Sequence, residues 1–104
     1  MGPHGPRADD LERMEHRQRV RVTNHQGLHA RPCHSIVSTA LEFKSELRIR
    51  SGDREVNGKS ILELMTLSAS VGSELELRAW GQDAEQLVRS VERLFVDGFG
   101  ESAS

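Results

Sequence analysis

The sequence predicts an α+β fold, an open-faced sandwich in which a four-stranded antiparallel sheet carries three helices packed on one face, in the order β-α-β-β-α-β-α. Two observations point there. Apolar residues switch between a period of two and a period near 3.6 along the chain, and in each period-two segment they occupy one side only. Strands with one apolar side need one covering layer, and the amphipathic helices between them supply it.

The elements follow in order. Val20 and Val22 alternate with Arg19, Arg21 and Thr23, which predicts a first strand over residues 19–24. From Ala30 the period becomes helical. Cys33, Ile36, Val37, Ala40 and Leu41 share one face of a helix over 30–43, and Pro32 is tolerated in a first turn whose amides have no helical partner. Leu47 and Ile49 alternate with Glu46, Arg48 and Arg50; Ser51, Gly52 and Asp53 then supply turn chemistry before Arg54, Glu55 and Val56, so this segment reads as a hairpin. Ser60 followed by Glu63 has the spacing of a capping box, ahead of a short apolar helix carrying Ile61, Leu62, Leu64, Met65 and Leu67. Leu75, Leu77 and Ala79 form the apolar side of a fourth strand. Asp83 is expected to cap a last helix with Leu87, Val88, Val91, Leu94 and Phe95, and Gly98 to end it in the left-handed conformation. The fourth strand is acidic outward where the first two are basic, which favours placing it between them. Trp80, at its end, reads as a sheet-edge packing residue.

At 104 residues and 11.6 kDa the chain has room for one small domain. Residues 19–101 form that domain. Residues 1–18 hold few apolar side chains and two of the three prolines, so they read as a flexible extension with at most a marginal helix over 9–17; residues 102–104 are a tail. Fourteen Lys and Arg against sixteen Asp and Glu give a net charge of -2, which supplies no field for a nucleic-acid backbone. No apolar run approaches the ~20 residues of a membrane span, the start lacks a signal-peptide core, and Pro6 stands where myristoylation needs Ser or Thr. One cysteine makes no internal disulfide. The expectation is a cytoplasmic monomer without membrane or nucleic-acid partners and without a cofactor.

The segment Asn24-His25-Gln26-Gly27-Leu28-His29-Ala30-Arg31-Pro32 puts a histidine at the mouth of a helix. The free amides there form an anion site, and their partial positive charge disfavours imidazolium, leaving His29 neutral and nucleophilic. Arg31 adds a guanidinium suited to a phosphoryl group. The same residues also fit a helix N-cap and a solvated charge. His25, His29, Cys33 and His34 suggest a metal site, but zinc would need a third ligand with a supporting shell and would consume the acceptor, so no metal is assigned. Cys33 reads as a small buried hydrophobe.

Gly27-Leu28-His29-Ala30-Arg31-Pro32 resembles the phosphorylation-site motif of the HPr family, the histidine-containing phosphocarriers of the phosphoenolpyruvate-dependent sugar phosphotransferase system. Val56-Asn57-Gly58-Lys59-Ser60-Ile61-Leu62-Glu63-Leu64-Met65-Thr66-Leu67 resembles the family's second signature, around its regulatory serine. Gly72-Ser73-Glu74-Leu75 and Gly98-Phe99-Gly100-Glu101 resemble later landmarks. This chain departs from the family at Gln26, Cys33, His34 and Glu63.

The resemblance implies that His29 accepts a phosphoryl group from phosphorylated enzyme I and passes it to an enzyme IIA domain. Arg31 and the amides of Ala30 and Arg31 would neutralise its charge. It also implies that Ser60, beyond capping its helix, is a target of HPr kinase/phosphorylase, and that Ile61, Leu62 and Met65 form a partner-docking patch. Core packing is the other reading of those three residues. A second functional class stays open, a regulatory binding module controlled through Ser60 without a part in sugar transport.

Overall fold

The computed structural model describes residues 15–101. Its elements are β1 (Glu15–Arg21), α1 (Ala30–Ala40), β2 (Glu46–Ser51), β3 (Arg54–Asn57), α2 (Ile61–Met65), β4 (Glu74–Trp80) and α3 (Ala84–Val96), closed by a 3-10 turn over Gly98–Gly100. The sheet is antiparallel throughout in the order β1-β4-β2-β3, so the fourth strand lies between the first two as the charges of Glu74 and Glu76 favour, although Arg78 there faces Arg17 on one side and Arg48 on the other. Glu76 stands between Arg19 and Arg50, and Glu74 opposite Arg21, whose Nη2 donates to Glu74 Oε2 over 3.0 Å. This is the open-faced α+β sandwich expected from the sequence.

Side chains of Leu47, Ile49, Leu75 and Leu77 point from the sheet into a core closed by Ile36 of α1, Leu64 of α2 and Leu87, Val91 and Phe95 of α3, all essentially without solvent exposure. Burying each such side chain contributes about 1.5–3 kcal/mol, so the helical layer is held mainly by these contacts. The α1 helix packs on both α2 and α3, which fixes its N-terminus relative to the loop after α2.

Several boundaries differ from the sequence expectation, each for a local reason. The first strand starts at Glu15, four residues before the expected 19, because β4 runs on to Trp80 and offers backbone partners to Glu15, His16, Arg17 and Gln18. Main-chain pairing, which apolar periodicity does not report, extends the strand. Residues 15–18 therefore belong to the sheet and not to a flexible extension or a helix; the rest of that extension, 1–14, and the tail 102–104 lie outside the described residues. The strand ends at Arg21 because Asn24 accepts the amide of Gly27 and opens a turn. The first helix stops at Ala40, three residues early, as the amides of Glu42 and Phe43 tighten onto carbonyls three residues back. The second stops at Met65 in the same way, before Ser68 adopts φ 49°.

Two caps also differ. Asp83 precedes α3 but makes no side-chain cap; its carboxylate instead accepts from the amides of Lys44 and Ser45, both at 2.9 Å, and from the Ser45 hydroxyl. These bonds hold its carboxyl at about 2, and they staple the start of α3 to the loop before β2. Glu63 does not reach back to Ser60; its Oε1 accepts from Asn57 N at 3.0 Å, while Ser60 N donates to Asn57 O. Trp80 lies in a central strand, not at a sheet edge. It faces outward between Glu15 and Glu46, with the Arg78 guanidinium 4.8 Å above its ring. Gly98 does take the left-handed conformation, at φ 62°.

Candidate functional site

The loop between β1 and α1 is built around two short-range demands. Gly27 sits at φ 70° with its backbone so close to Ala69 that a side chain would collide with the Ala69 carbonyl, and Leu28 N donates to that carbonyl at 2.9 Å. Leu28 is buried, so the loop is pinned on both sides of Gly27, and the next residue, His29, is delivered to the N-cap of α1. The imidazole makes no cap to its own helix. Cys33 N donates to His29 O as the first intrahelical bond, and Pro32 has no amide hydrogen. The amides of Ala30 and Arg31 are thus the first-turn donors without an intrahelical partner, and they point from the helix mouth.

The imidazole is half-buried and its Nε2 lies 2.8 Å from Glu101 Oε2. A carboxylate only accepts, so Nε2 carries a hydrogen, and in the neutral ring the lone pair then resides on Nδ1. The other oxygen of Glu101 accepts from Asn24 Nδ2 at 3.0 Å, and the same Nδ2 donates to Gly27 O at 2.7 Å. Asn24 is buried and its Oδ1 has no hydrogen-bond partner among the described residues; reversing the amide would turn that oxygen against two acceptors, so the observed orientation is the one the site requires. Partial burial works to raise the Glu101 carboxyl, yet hydrogen bonds from Asn24 and His29 and the positive charge of Arg31 outweigh it and hold the group below its ordinary range. Glu101 comes from the end of the chain, carried by Gly98, Phe99 and Gly100, all at positive φ, with Phe99 packed edge-on against Phe95 at 4.9 Å.

Arg31 is exposed and its guanidinium holds no hydrogen bond among the described residues, which leaves it available to an anion at the helix mouth. Cys33 is fully buried; burial pushes its thiol up to about 11, and Sγ lies 3.6 Å from Leu28 O, so it packs as a hydrophobe. Among the described residues no three His, Cys, Asp or Glu gather as a metal site, and His34 is exposed on α1.

The second segment lies on α2. Ser60 is its N-cap, with Oγ accepting Glu63 N at 3.2 Å. Leu62 is 79% exposed and Met65 41%, whereas Ile61 is half-buried against the core and Leu64 takes the central core position. Core packing therefore accounts for Ile61 in part, whereas Leu62 and Met65 lie outside the core cluster. Lys59 is turned inward, Nζ donating to Phe43 O at 2.8 Å. Nothing in the sequence alone gives Glu101 or Asn24 a role in the site. Gly98 and the turn at Asn24 were local signals for their backbones, but nothing local reports a contact that spans 72 or 77 residues.

Comparison with known proteins agrees with this arrangement. Residues 16–97 match the family model described as the PTS HPr component phosphorylation site. The chain is 40% identical over 85 residues to the phosphocarrier protein HPr of Neisseria meningitidis, covering 82% of this chain and 96% of that one. It is 43% identical over 82 residues to that of Treponema pallidum, covering 79% and 93%. The crystal structure of HPr-C-His from Thermoanaerobacter tengcongensis superposes with a TM-score of 0.80 at 34% identity, covering 84% of this chain and 98% of that one.

Proposed function

The chain belongs to the HPr family of phosphocarriers, and we propose from that premise that it carries a phosphoryl group on His29, taken from phosphorylated enzyme I and handed to an enzyme IIA domain. The observation that carries the reading is the tautomer lock. With Nε2–H held by Glu101, the lone pair of Nδ1 is the nucleophile at a helix mouth furnished with two free amides and the Arg31 guanidinium. Attack by Nδ1 forms a nitrogen–phosphorus bond as the donor's bond to phosphorus breaks and its electron pair returns to the donor. The reverse step loads the acceptor. The carrier performs no turnover chemistry of its own; its residues hold a tautomer and offset charge.

Leu62 and Met65, with Ile61 at their base, supply an exposed apolar surface on the helix that packs against α1, which supports their role in docking partners. The Ser60 hydroxyl accepts one bond and donates none among the described residues, consistent with a hydroxyl open to HPr kinase/phosphorylase. We place the carrier in the cytoplasm as a monomer. Incubation with phosphoenolpyruvate and enzyme I should add one acid-labile, alkali-stable phosphate, and His29→Ala should accept none. A His29→Ala protein that still takes up the label overturns the assignment.

A further inference from the structure

The open face of the sheet, away from the helices and from His29, holds an arrangement that phosphoryl transfer does not use. Its outward side chains form rows across the strands. Two rows alternate in sign, Arg21 with Glu74 and Arg19 with Glu76 and then Arg50, as neighbouring strands favour. The row between these and Trp80 does not. There Arg17 faces Arg78, Arg78 faces Arg48, and Arg48 faces Asn57, so three guanidinium groups cross β1, β4 and β2 in one register. Like charges directly opposite each other are destabilising.

Internal carboxylates offset only part of that charge. Glu15 Oε2 accepts from Arg17 Nε at 2.6 Å and from Arg78 Nε at 3.1 Å, and Glu55 Oε2 accepts from Arg78 Nη1 at 2.8 Å. Arg48, half-buried at the inner end of the row, has no hydrogen bond or ion pair for its guanidinium among the described residues. Arg78 is itself stacked on Trp80, so the row borders an aromatic surface, and Arg and Trp are the side chains that dominate protein interfaces.

We propose that this arginine row, with Trp80 beside it, is a docking surface for a protein partner that presents an acidic α-helix. Spacing selects the occupant. Strands lie about 4.8 Å apart, so the three arginines are spread over roughly 10 Å; carboxylates at i, i+4 and i+8 on a helix are spaced by about 5–6 Å each and lie along such a line. Extended polyanions fit poorly, because the rows on either side of the arginines carry Glu15, Glu46, Glu76 and Glu55 on the same face. A nucleic acid or an anionic membrane would have to cover those carboxylates, whereas a helix centred on the arginines, about 10 Å across, meets the neighbouring rows roughly 6.6 Å away only with its flanks.

The test uses the full chain and an alanine-based helical peptide, free of tryptophan, with Glu at i, i+4 and i+8. Trp80 is the sole tryptophan, so its emission reports the face directly. The peptide should bind at low salt, shift Trp80 emission and weaken as salt rises. Arg48→Glu should bind at least tenfold more weakly, and Arg48→Gln should fall between, while both accept phosphate on His29 as the parent does and keep its melting temperature within a few degrees. Equal binding of the Gln-substituted peptide, or undiminished binding by Arg48→Glu, overturns the proposal. So does tighter binding of a 20-nucleotide single strand or of phosphatidylglycerol vesicles than of the peptide, since either would mark a general anion surface.

Discussion

Replacing Gly27 with Ala tests how the site is positioned, because two separable penalties meet at this residue. The first is conformational. At φ 70° an L side chain costs roughly 1–2 kcal/mol. The second is steric, since the new Cβ would collide with Ala69 O and stand 3.0 Å from Ser70 Cα. Ala69 O cannot simply withdraw, because it accepts the amide of Leu28, and overpacking of this kind costs about 1–3 kcal/mol more. The sum is about 2–5 kcal/mol, and at ~4–8 °C per kcal/mol for a domain of this size the melting temperature should fall by about 10 °C or more. Two other glycines separate the parts. Gly72→Ala carries the backbone penalty alone, at φ 91° with nothing within 4 Å, and Gly58→Ala carries the steric one alone, its Cβ 2.5 Å from the Leu47 side chain. Calorimetry on the three variants should rank Gly27→Ala lowest. Because displacement of a reacting group by about 1 Å can cost 10²-fold, phosphoryl transfer to folded Gly27→Ala should also slow, while folded Gly72→Ala transfers normally. A Gly27→Ala protein that melts with Gly72→Ala and transfers at the parent rate refutes the account of how His29 is held.

Arg31→Ala should fold as the parent does, since the side chain is exposed and unbonded, yet rapid-quench transfer from phosphorylated enzyme I should slow by about tenfold, the loss of one charge-assisted contact to phosphate. Glu101→Gln leaves one acceptor for two donors, Asn24 Nδ2 and His29 Nε2, so nitrogen NMR of the His29 ring should show mixed tautomers and transfer should slow; a ring that keeps its hydrogen on Nε2 in full argues against the lock. The Asp83 carboxyl is held at about 2 against an ordinary 3.8, so its contribution is complete above about pH 4 and is lost as the pH falls toward 2; Asp83→Asn should therefore flatten the acid limb of stability in that window, read by thermal melts from pH 5 to 2. Ser60→Asp retains a cap acceptor for Glu63 N, so its melting temperature should change by a few degrees at most, while the added charge beside Leu62 and Met65 should slow transfer most at low salt.

How far the sequence carries the structure depends on what each feature needs. The central place of β4 was legible because Glu74 and Glu76 are complementary to Arg19, Arg21 and Arg50, a pattern written in alternating positions. His29 at a helix mouth was legible from the apolar period that starts after it and from Pro32. Where the reading stopped short, the missing partner was remote. His16 and Gln18 occupy inward positions of β1 with polar side chains, so apolar alternation is silent there, and only the length of β4 makes them strand. Asp83 has the local look of a cap, yet Lys44 and Ser45, 39 and 38 residues away, offer it three donors and win. Glu101 and Asn24 show the same limit at the site itself. Both ends of that contact look like turn residues until the sheet brings them together.

The mixture of charges around His29 is what the proposed carrier role would call for. Free amides at Ala30 and Arg31 and the Arg31 guanidinium favour the phosphorylated ring, and a site made of such groups alone would hold its cargo. Each 1.4 kcal/mol of extra stabilisation of the loaded carrier shifts the transfer equilibrium tenfold against release, because the interaction is made in the ground state and not only in the transition state. Glu101 works in the other direction. Its charge opposes a dianionic phosphoryl group on the same ring, while its bond to Nε2 keeps Nδ1 available for attack. Asn24 fastens that carboxylate to the Gly27 carbonyl, so the opposing charge stays in place as the phosphoryl group arrives. The ring is 33% exposed and the carboxylate 18%, so a partner reaches the ring more readily than the group that tempers it. On the proposed reading, Glu101 therefore works against over-stabilising the loaded ring, which is what would separate a carrier from a phosphate-binding protein.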